Sequence, residues 1–303
     1  MFRSKKEFTA AFLSLLPTFI AILIFVYGFI LWTIRVSFSA WVGVMPNFTF
    51  TWFSNYADIF TSERFQIDLW NTFFFTIFFL SICVAGGLLL AIFLDRKLKG
   101  KSLFRNIFLF PMAVSFVVTG VAWRWIFNPG MAGSPTGINL ILSQTGLSGL
   151  EWGWFTQPAQ FLHFHVALIP VVIAAAWQLT GYTMAMYLAG LSGIPLEIKE
   201  AARMDGASEI QIYRRVILPM LAPITLSVLI ILVHISLKIF DLVYTMTGSG
   251  PGFATDVPGI NMFEKTFRGN RYGEGAAISV VMFILMALII IPYLLHSLRR
   301  EKK

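Results

Sequence analysis

"EAARMDGASEIQIYRRVILP", Glu200 to Pro219, is a charged stretch set between two long apolar segments. It carries Glu200, Arg203, Asp205, Glu209, Arg214 and Arg215. Pro195 just ahead of it suits the first turn of a helix, where a missing N–H costs nothing. Leu196 to Asp205 then reads as helix, and Gly206 can end it in a left-handed conformation. Ser208 and Gln211 have the spacing of a capping box and restart a helix. Ile210, Ile212, Tyr213, Val216 and Ile217 give that second helix an apolar side, and Pro219 marks the entry to the next apolar segment. The pattern predicts helix, glycine elbow, helix.

The chain around this island decides its setting. Of 303 residues 57% are hydrophobic and only 13% charged, against about 25% charged in an average soluble domain. Six long apolar runs stand out: Phe8–Ile34, Leu69–Leu94, Asn106–Trp123, Val166–Leu191, Val216–Leu237 and Gly275–Leu298. About 20 apolar residues suffice to cross the hydrocarbon core as a helix, and a helix satisfies its own backbone there. These runs exclude a soluble enzyme and predict an all-α polytopic membrane protein of six transmembrane helices in one domain over residues 1–303, with a loop at 192–219. The first run is far longer than the roughly 7–15 residues of a signal-peptide core, so it reads as an uncleaved span. No internal repeat is evident and the spans read as unbroken, which argues against an ion-coupled secondary transporter.

Net charge is +8. The basic residues cluster beside spans: Arg3, Lys5 and Lys6; Arg96, Lys97, Lys99, Lys101 and Arg105; Lys199, Arg203, Arg214 and Arg215; Arg299, Arg300, Lys302 and Lys303. The alternate segments carry Arg64, Lys265, Arg268 and Arg271, with Arg35, Arg124 and Lys238 directly at the ends of spans. Sixteen basic residues against seven predict both termini and the island on the cytoplasmic side. The opposite loops are rich in tryptophan, as an outer interface requires. Cys83 is the one cysteine and lies in an apolar run, so no internal disulfide forms.

Three readings of the island compete. A DNA-reading helix needs a basic, freely presented face, but this stretch is charge-balanced and tethered by spans at both ends. A phosphate-binding loop at "DRKLKGKS" would need glycine where Asp95 stands, and a carboxylate there repels phosphate. Docking onto another protein remains, beside the alternative of an amphipathic helix lying on lipid headgroups. For docking, the small residues Ala201, Ala202 and Gly206 admit a close partner, and the flanking charges set register.

The stretch resembles the "EAA" loop of the permeases of binding-protein-dependent ABC importers: Glu200-Ala201-Ala202, three residues, Gly206, nine residues, then Val216-x-Leu218-Pro219, with Val216 in place of isoleucine. "NTFFFT" (Asn71–Thr76), "FLFPMAVS" (Phe108–Ser115) and "LKIFDLVYTMTGSGPG" (Leu237–Gly252) are similar to stretches of the carbohydrate-uptake branch. The resemblance covers nearly the whole chain. It implies the type I ABC importer permease fold and a cytoplasmic coupling helix, with Glu200, Ala201, Ala202, Arg203, Asp205 and Gly206 at the docking surface. The implied partners are a second permease subunit, two ABC ATPase copies that carry the ATP and magnesium, an extracytoplasmic sugar-binding protein and membrane lipid, without nucleic acid. The chain itself would bind no cofactor and catalyse no covalent reaction, in a bacterial or archaeal cytoplasmic (inner) membrane. A membrane scaffold protein is a further class. The stretch "DVPGINMF" (Asp256–Phe263) is similar to glucose/mannose-type permeases, with α-glucosides and glycerol phosphate also open.

Polar residues within spans are functional candidates. Trp177, Gln178 and Tyr182 in the fourth span, with Lys238, Asp241 and Tyr244 at the end of the fifth, supply the aromatic faces and polar groups that a sugar path needs. Lys238 and Asp241, three apart on one helix, would form a pair that either lines the path or locks helices together. Gln178 either meets the sugar or bonds a neighbouring helix. His163 and His165 make no metal site by themselves.

Overall fold

The computed structural model describes residues 5–96, 99–131, 133–157, 159–161 and 163–300. Arg3, Lys97, Lys302 and Lys303, which enter the charge count, lie outside the described residues. In chain order, α1 (Lys5–Ile22) runs through a π-helical stretch into α2 (Phe29–Ser37). Then come α3 (Ser54–Thr61), α4 (Glu63–Asp95), α5 (Lys101–Leu109), α6 (Phe116–Ile126) and α7 (Gly137–Gln144). They are followed by α8 (Ile169–Ser192), α9 (Leu196–Met204), α10 (Glu209–Ile212), α11 (Leu218–Met220) and α12 (Ala222–Leu237). The chain closes with α13 (Asp241–Met246), α14 (Pro258–Phe263) and α15 (Tyr272–Arg300). Two small antiparallel hairpins, Gly130–Met131 with Ser134–Pro135 and Gln160–Phe161 with Phe164–His165, complete the described structure.

Phe12–Ser37, Glu63–Asp95, Val166–Ser192 and Tyr272–Leu295 are long and apolar enough to cross a membrane, and six spans result if two bent helix pairs each count as one. The third span bends by 98° between Lys101–Ala113 and Phe116–Ile126, and the fifth by 64° between Glu209–Met220 and Ala222–Leu237. The expectation of unbroken spans is therefore corrected. Pro111 offers no N–H and sits in a 3-10 turn, Val114 turns extended, and Ser115 caps the new helix by accepting from the Val118 amide. In the fifth span Pro219 and Pro223 flank the bend.

The residues gather into two compact units, Met1–Ser62 with Asn261–Leu288, and Glu63–Ile260 with Ile289–Lys303. In the first, Asn55 donates to the carbonyls of Ser37 and Ser39, both at 2.9 Å, and Trp41 stacks on Tyr272 at 4.6 Å. In the second, α4 and α8 pack along much of their length around Phe75, Phe79, Cys83, Val171 and Ala175, all buried. Small residues allow that approach, as they do between helices in lipid. A Cβ on Gly87 would stand 2.6 Å from the Thr183 Cβ, and one on Gly181 would stand 1.8 Å from the Phe108 carbonyl oxygen. The broken third span thus lies directly on α8.

Gly181→Ala should force α5 off α8 and cost about 1–3 kcal/mol, read as a lower melting temperature of the purified protein. Gly149→Ala, where a Cβ meets nothing within 4 Å, should leave it unchanged.

Candidate functional site

The polar island folds as its local signals require. Pro195 precedes α9, Glu197 sits in its first turn and Arg203 in its last, each charge favourable to the helix dipole. Gly206 takes φ +79°. Its amide donates to the Arg203 carbonyl at 3.0 Å and the Ala207 amide to the Ala202 carbonyl at 3.1 Å, the paired bonds of a Schellman end. Ser208 then caps α10, with both capping-box bonds formed to Gln211. Arg203 reaches across the elbow to Glu209 at 2.8 Å.

This hairpin is fastened to the unit beneath it. Ile212 and Ile217 are buried with Ala91, Leu94, Leu191 and Leu221, while Ala202, Ala207 and Tyr213 pack on that cluster. Lys199 bonds Asp95, the last residue of α4, at 3.1 Å. Ala202 therefore turns partly inward, and the open face belongs to Glu200, Ala201, Arg203, Asp205 and Gly206, all exposed. Ile210 is 79% exposed; it does not join the apolar side that its spacing suggested. Met204 at 89% and Leu196 at 59% stand out beside it. Met204 and Leu196 were not singled out from the sequence as exposed prongs, and Ile210 was placed on the buried side. Their signal was large apolar residues placed within a charged stretch.

The residues assigned to a path fall in two places. Trp177 is half exposed and meets Trp123 edge-to-face at 5.7 Å. The two indoles, with Pro111, Thr180 and Gly181, line a hollow of 480 Å³ beside the break in the third span. Gln178 is buried, and its Nε2 donates to the Val114 carbonyl at 2.6 Å. That carbonyl belongs to the extended residue at the break, so Gln178 supplies the bond that the bent helix lost. Tyr182, one turn further on, is half-buried.

Lys238, Asp241 and Tyr244 lie at a second interruption, where α12 ends and α13 begins. Because the helix stops between them, Lys238 and Asp241 do not share a continuous face. Both are exposed, and among the described residues no ion pair joins them; the expected pair is corrected on that ground. Tyr244 stacks on Phe240 at 5.1 Å. α13 packs on α6, where a Cβ on Gly120 would stand 1.9 Å from the Thr245 hydroxyl. α6, which also carries Trp123, is thus the neighbour common to both places. His163 stacks on Trp70 at 5.2 Å and His165 bonds Asn71 at 2.8 Å, so the two rings are separately engaged.

Residues 83–299 match the family of binding-protein-dependent transport system inner membrane components. The chain is 36% identical over 301 residues to a probable ABC transporter permease protein of Pyrococcus horikoshii, covering 99% of this chain and all of the relative. It is 33% identical to the xylose/arabinose import permease XacH of Haloferax volcanii, over 93% of this chain and 86% of that one. It is 31% identical to the trehalose/maltose transport permease MalF of Thermococcus litoralis, over 95% and 94%. In fold it matches a chain in the crystal structure of a bacterial ABC transporter involved in the import of the acidic polysaccharide alginate. The TM-score is 0.79, the identity 24%, and 98% of each chain is covered.

Two consequences are measurable on the purified protein. A Cβ on Gly206 meets open space, so the cost of replacing it is purely conformational, about 1–2 kcal/mol. Gly206→Val should speed proteolysis at the elbow, and Gly206→Asn, a residue that tolerates positive φ, should do so less; equal rates would contradict the geometry. Gln178→Ala should leave the Val114 carbonyl unpaired and lower thermal stability by about 1–3 kcal/mol.

Proposed function

This chain belongs to the family of binding-protein-dependent transport system inner membrane components, and from that premise we propose that it forms half of the translocation pore of an ATP-driven sugar importer. The observation that carries the reading is the fastened hairpin at Leu196–Ile217. Met204, Ile210 and Leu196 rise from a charged surface held to α4 and α8, the form of an apolar anchor within a polar rim. The occupant is a cytoplasmic ABC ATPase, which supplies ATP and magnesium. A second permease subunit completes the pore, and an extracytoplasmic binding protein delivers the sugar. Both termini and the hairpin then lie in the cytoplasm, as the distribution of Lys and Arg requires.

Alternating access follows from the packing. The hairpin cannot move without carrying the ends of α4 and α8, so closure of the ATPase dimer is transmitted along two rigid helices. ATP hydrolysis is on the partner, and this chain performs no covalent chemistry. Broken helices do occur here, so their absence no longer counts against an ion-coupled carrier; family membership decides between the two.

The substrate is a sugar. The hollow beside Trp177 is lined by the Trp123 and Trp177 indoles, apolar side chains and Thr180, which suits the C–H face of a sugar ring. The similarity to the xylose/arabinose import permease XacH and the trehalose/maltose transport permease MalF supports a sugar without choosing among glucose/mannose-type sugars, α-glucosides and glycerol phosphate. The path includes Trp177 and Tyr182 with Lys238, Asp241 and Tyr244. Gln178 belongs to its wall by holding the Val114 turn.

The test is made on the assembled importer in vesicles. Met204→Asp and Ile210→Asp place a charge in the proposed apolar contact and should reduce the ATPase activity stimulated by sugar-loaded binding protein about tenfold or more, with the membrane subunits still assembled. Unchanged stimulation in both variants would remove the hairpin as the coupling element.

A further inference from the structure

The first span is little enclosed by the rest of the chain. The most apolar stretch of Phe12–Ser37 has no residue buried within the protein. What covers it comes from outside.

α2 and α15 face each other across two hollows. The outer one, of 270 Å³, lies between Trp32 and Val36 on α2 and Tyr272 and Ala276 on α15. The deeper one, of 240 Å³, lies between Phe29 and Ile30 on α2 and Val280 and Phe283 on α15. Thr33 and Ser279 line both, so the two form one groove. Its floor is apolar in effect. The Thr33 hydroxyl donates to the Phe29 carbonyl at 2.9 Å and the Ser279 hydroxyl to the Gly275 carbonyl at 3.0 Å, so both hydroxyls are engaged within their own helices.

The length of the groove identifies the shape of its occupant. Along α15 it runs from Tyr272 to Phe283, about 17 Å at a rise of 1.5 Å per residue. One leaflet is half of the hydrocarbon core, about 15 Å. A compact solute would leave most of the groove empty, whereas the acyl chain of one leaflet runs its whole length. A helix is about 10–12 Å across, and hollows of this volume receive a hydrocarbon chain rather than a helix.

The outer end of the groove carries a cation. Arg35, in the last turn of α2, is exposed. Its guanidinium lies 5.3 Å from the centre of the Phe48 ring. Phe48 in turn meets Trp32 edge-to-face at 5.5 Å and Trp41 at 5.3 Å, and both indoles line the outer hollow. Among the described residues no carboxylate pairs with Arg35. Lys265, Arg268 and Arg271, by contrast, are each paired with Glu264 or Glu274. A guanidinium binds phosphate through parallel hydrogen bonds, and tryptophan and tyrosine belong at the level of the lipid headgroups.

We propose that the groove between α2 and α15 binds an anionic phospholipid, with the phosphate on Arg35 and one acyl chain lying along Thr33 and Ser279. On the orientation proposed above, Arg35 is extracytoplasmic and the lipid comes from the outer leaflet. The binding itself requires only that the chain lie in a membrane, so it stands or falls apart from docking to an ATPase.

The test uses the full chain, alone and in the assembled importer, in detergent with equal amounts of phosphatidylglycerol and phosphatidylcholine bearing the same acyl chains. Native mass spectrometry reads the ratio of the two lipids retained. Phosphatidylglycerol should be favoured about fivefold, the ratio that one basic residue supplies at a membrane surface. Arg35→Gln, at an exposed position, should abolish the preference. Arg124→Gln, also exposed, should leave it intact. Ser279→Leu fills the groove where its two hollows meet and should abolish the preference with Arg35 still in place. Thr33→Leu fills the same point from α2 and serves if Ser279→Leu does not assemble. Equal retention of the two lipids by the unsubstituted chain overturns the proposal. So does a preference that survives Arg35→Gln or the filled groove, or one that falls equally in Arg124→Gln. A preference present in the chain alone and absent from the assembled importer also overturns it, and assigns this face to the second permease subunit.

Discussion

Hydrocarbon offers no hydrogen bonds, so each peptide group in the membrane must find its partner within the protein. The third span meets this constraint at Val114. Pro111 and the Ser115 cap turn the chain by 98°, and the Val114 carbonyl loses its place in the helical ladder. Gln178 supplies the missing donor from α8 at 2.6 Å. The bond sets where α5 and α6 lie on α8, and the Trp177–Trp123 hollow is the space left at the bend. Asn71 does the same for the segment between the fifth and sixth spans, at the far end of α4, binding the Phe253 and Asp256 carbonyls with one amide.

Close packing turns these local repairs into a stiff body. Gly87, Gly120 and Gly181 each face a neighbour at a distance that no Cβ could share, so α8 is locked in register with α4 and α5, and α6 with α13, by shape. Such contacts deform little before they break. A displacement imposed at one end of α8 is therefore carried to its other end rather than absorbed.

The hairpin at 195–217 was legible from the sequence because all its determinants are local. A proline start, a left-handed glycine and a capping box lie within a few residues of the bonds they make. The bends were not read, although Pro111, Pro219 and Pro223 were visible. A long apolar run reports that a segment lies in lipid, not that it is straight. The Lys238–Asp241 pairing failed for the same reason, since a spacing of three brings residues together only if the helix continues between them. Arg64 pairs with Asp256 at 2.6 Å although the two lie 192 positions apart in the chain, and no local pattern announces that contact. Gln178 was picked out as an intramembrane polar residue, but only the fold shows which carbonyl it faces.

α4 and α8 also explain why the polar machinery sits where it does. Their facing surfaces are mostly apolar and buried against each other, where a moving charge would have no partner. Their ends are polar. α4 begins with Arg64, Asp68 and Asn71 and ends with Asp95, which holds Lys199 of the hairpin. α8 follows directly from His165, which bonds Asn71, and leads within three residues into α9. The pair is thus a rod with hooks at both ends. One set grips the hairpin offered to a partner, and the other grips the segment between the fifth and sixth spans. Parts that move in a transport cycle must be held by bonds that can open without exposing the core, and hydrogen bonds at the two ends of a sealed helix pair meet that requirement. Apolar packing along the rod fixes the distance between the hooks, so a change at one end reaches the other as motion of a single body.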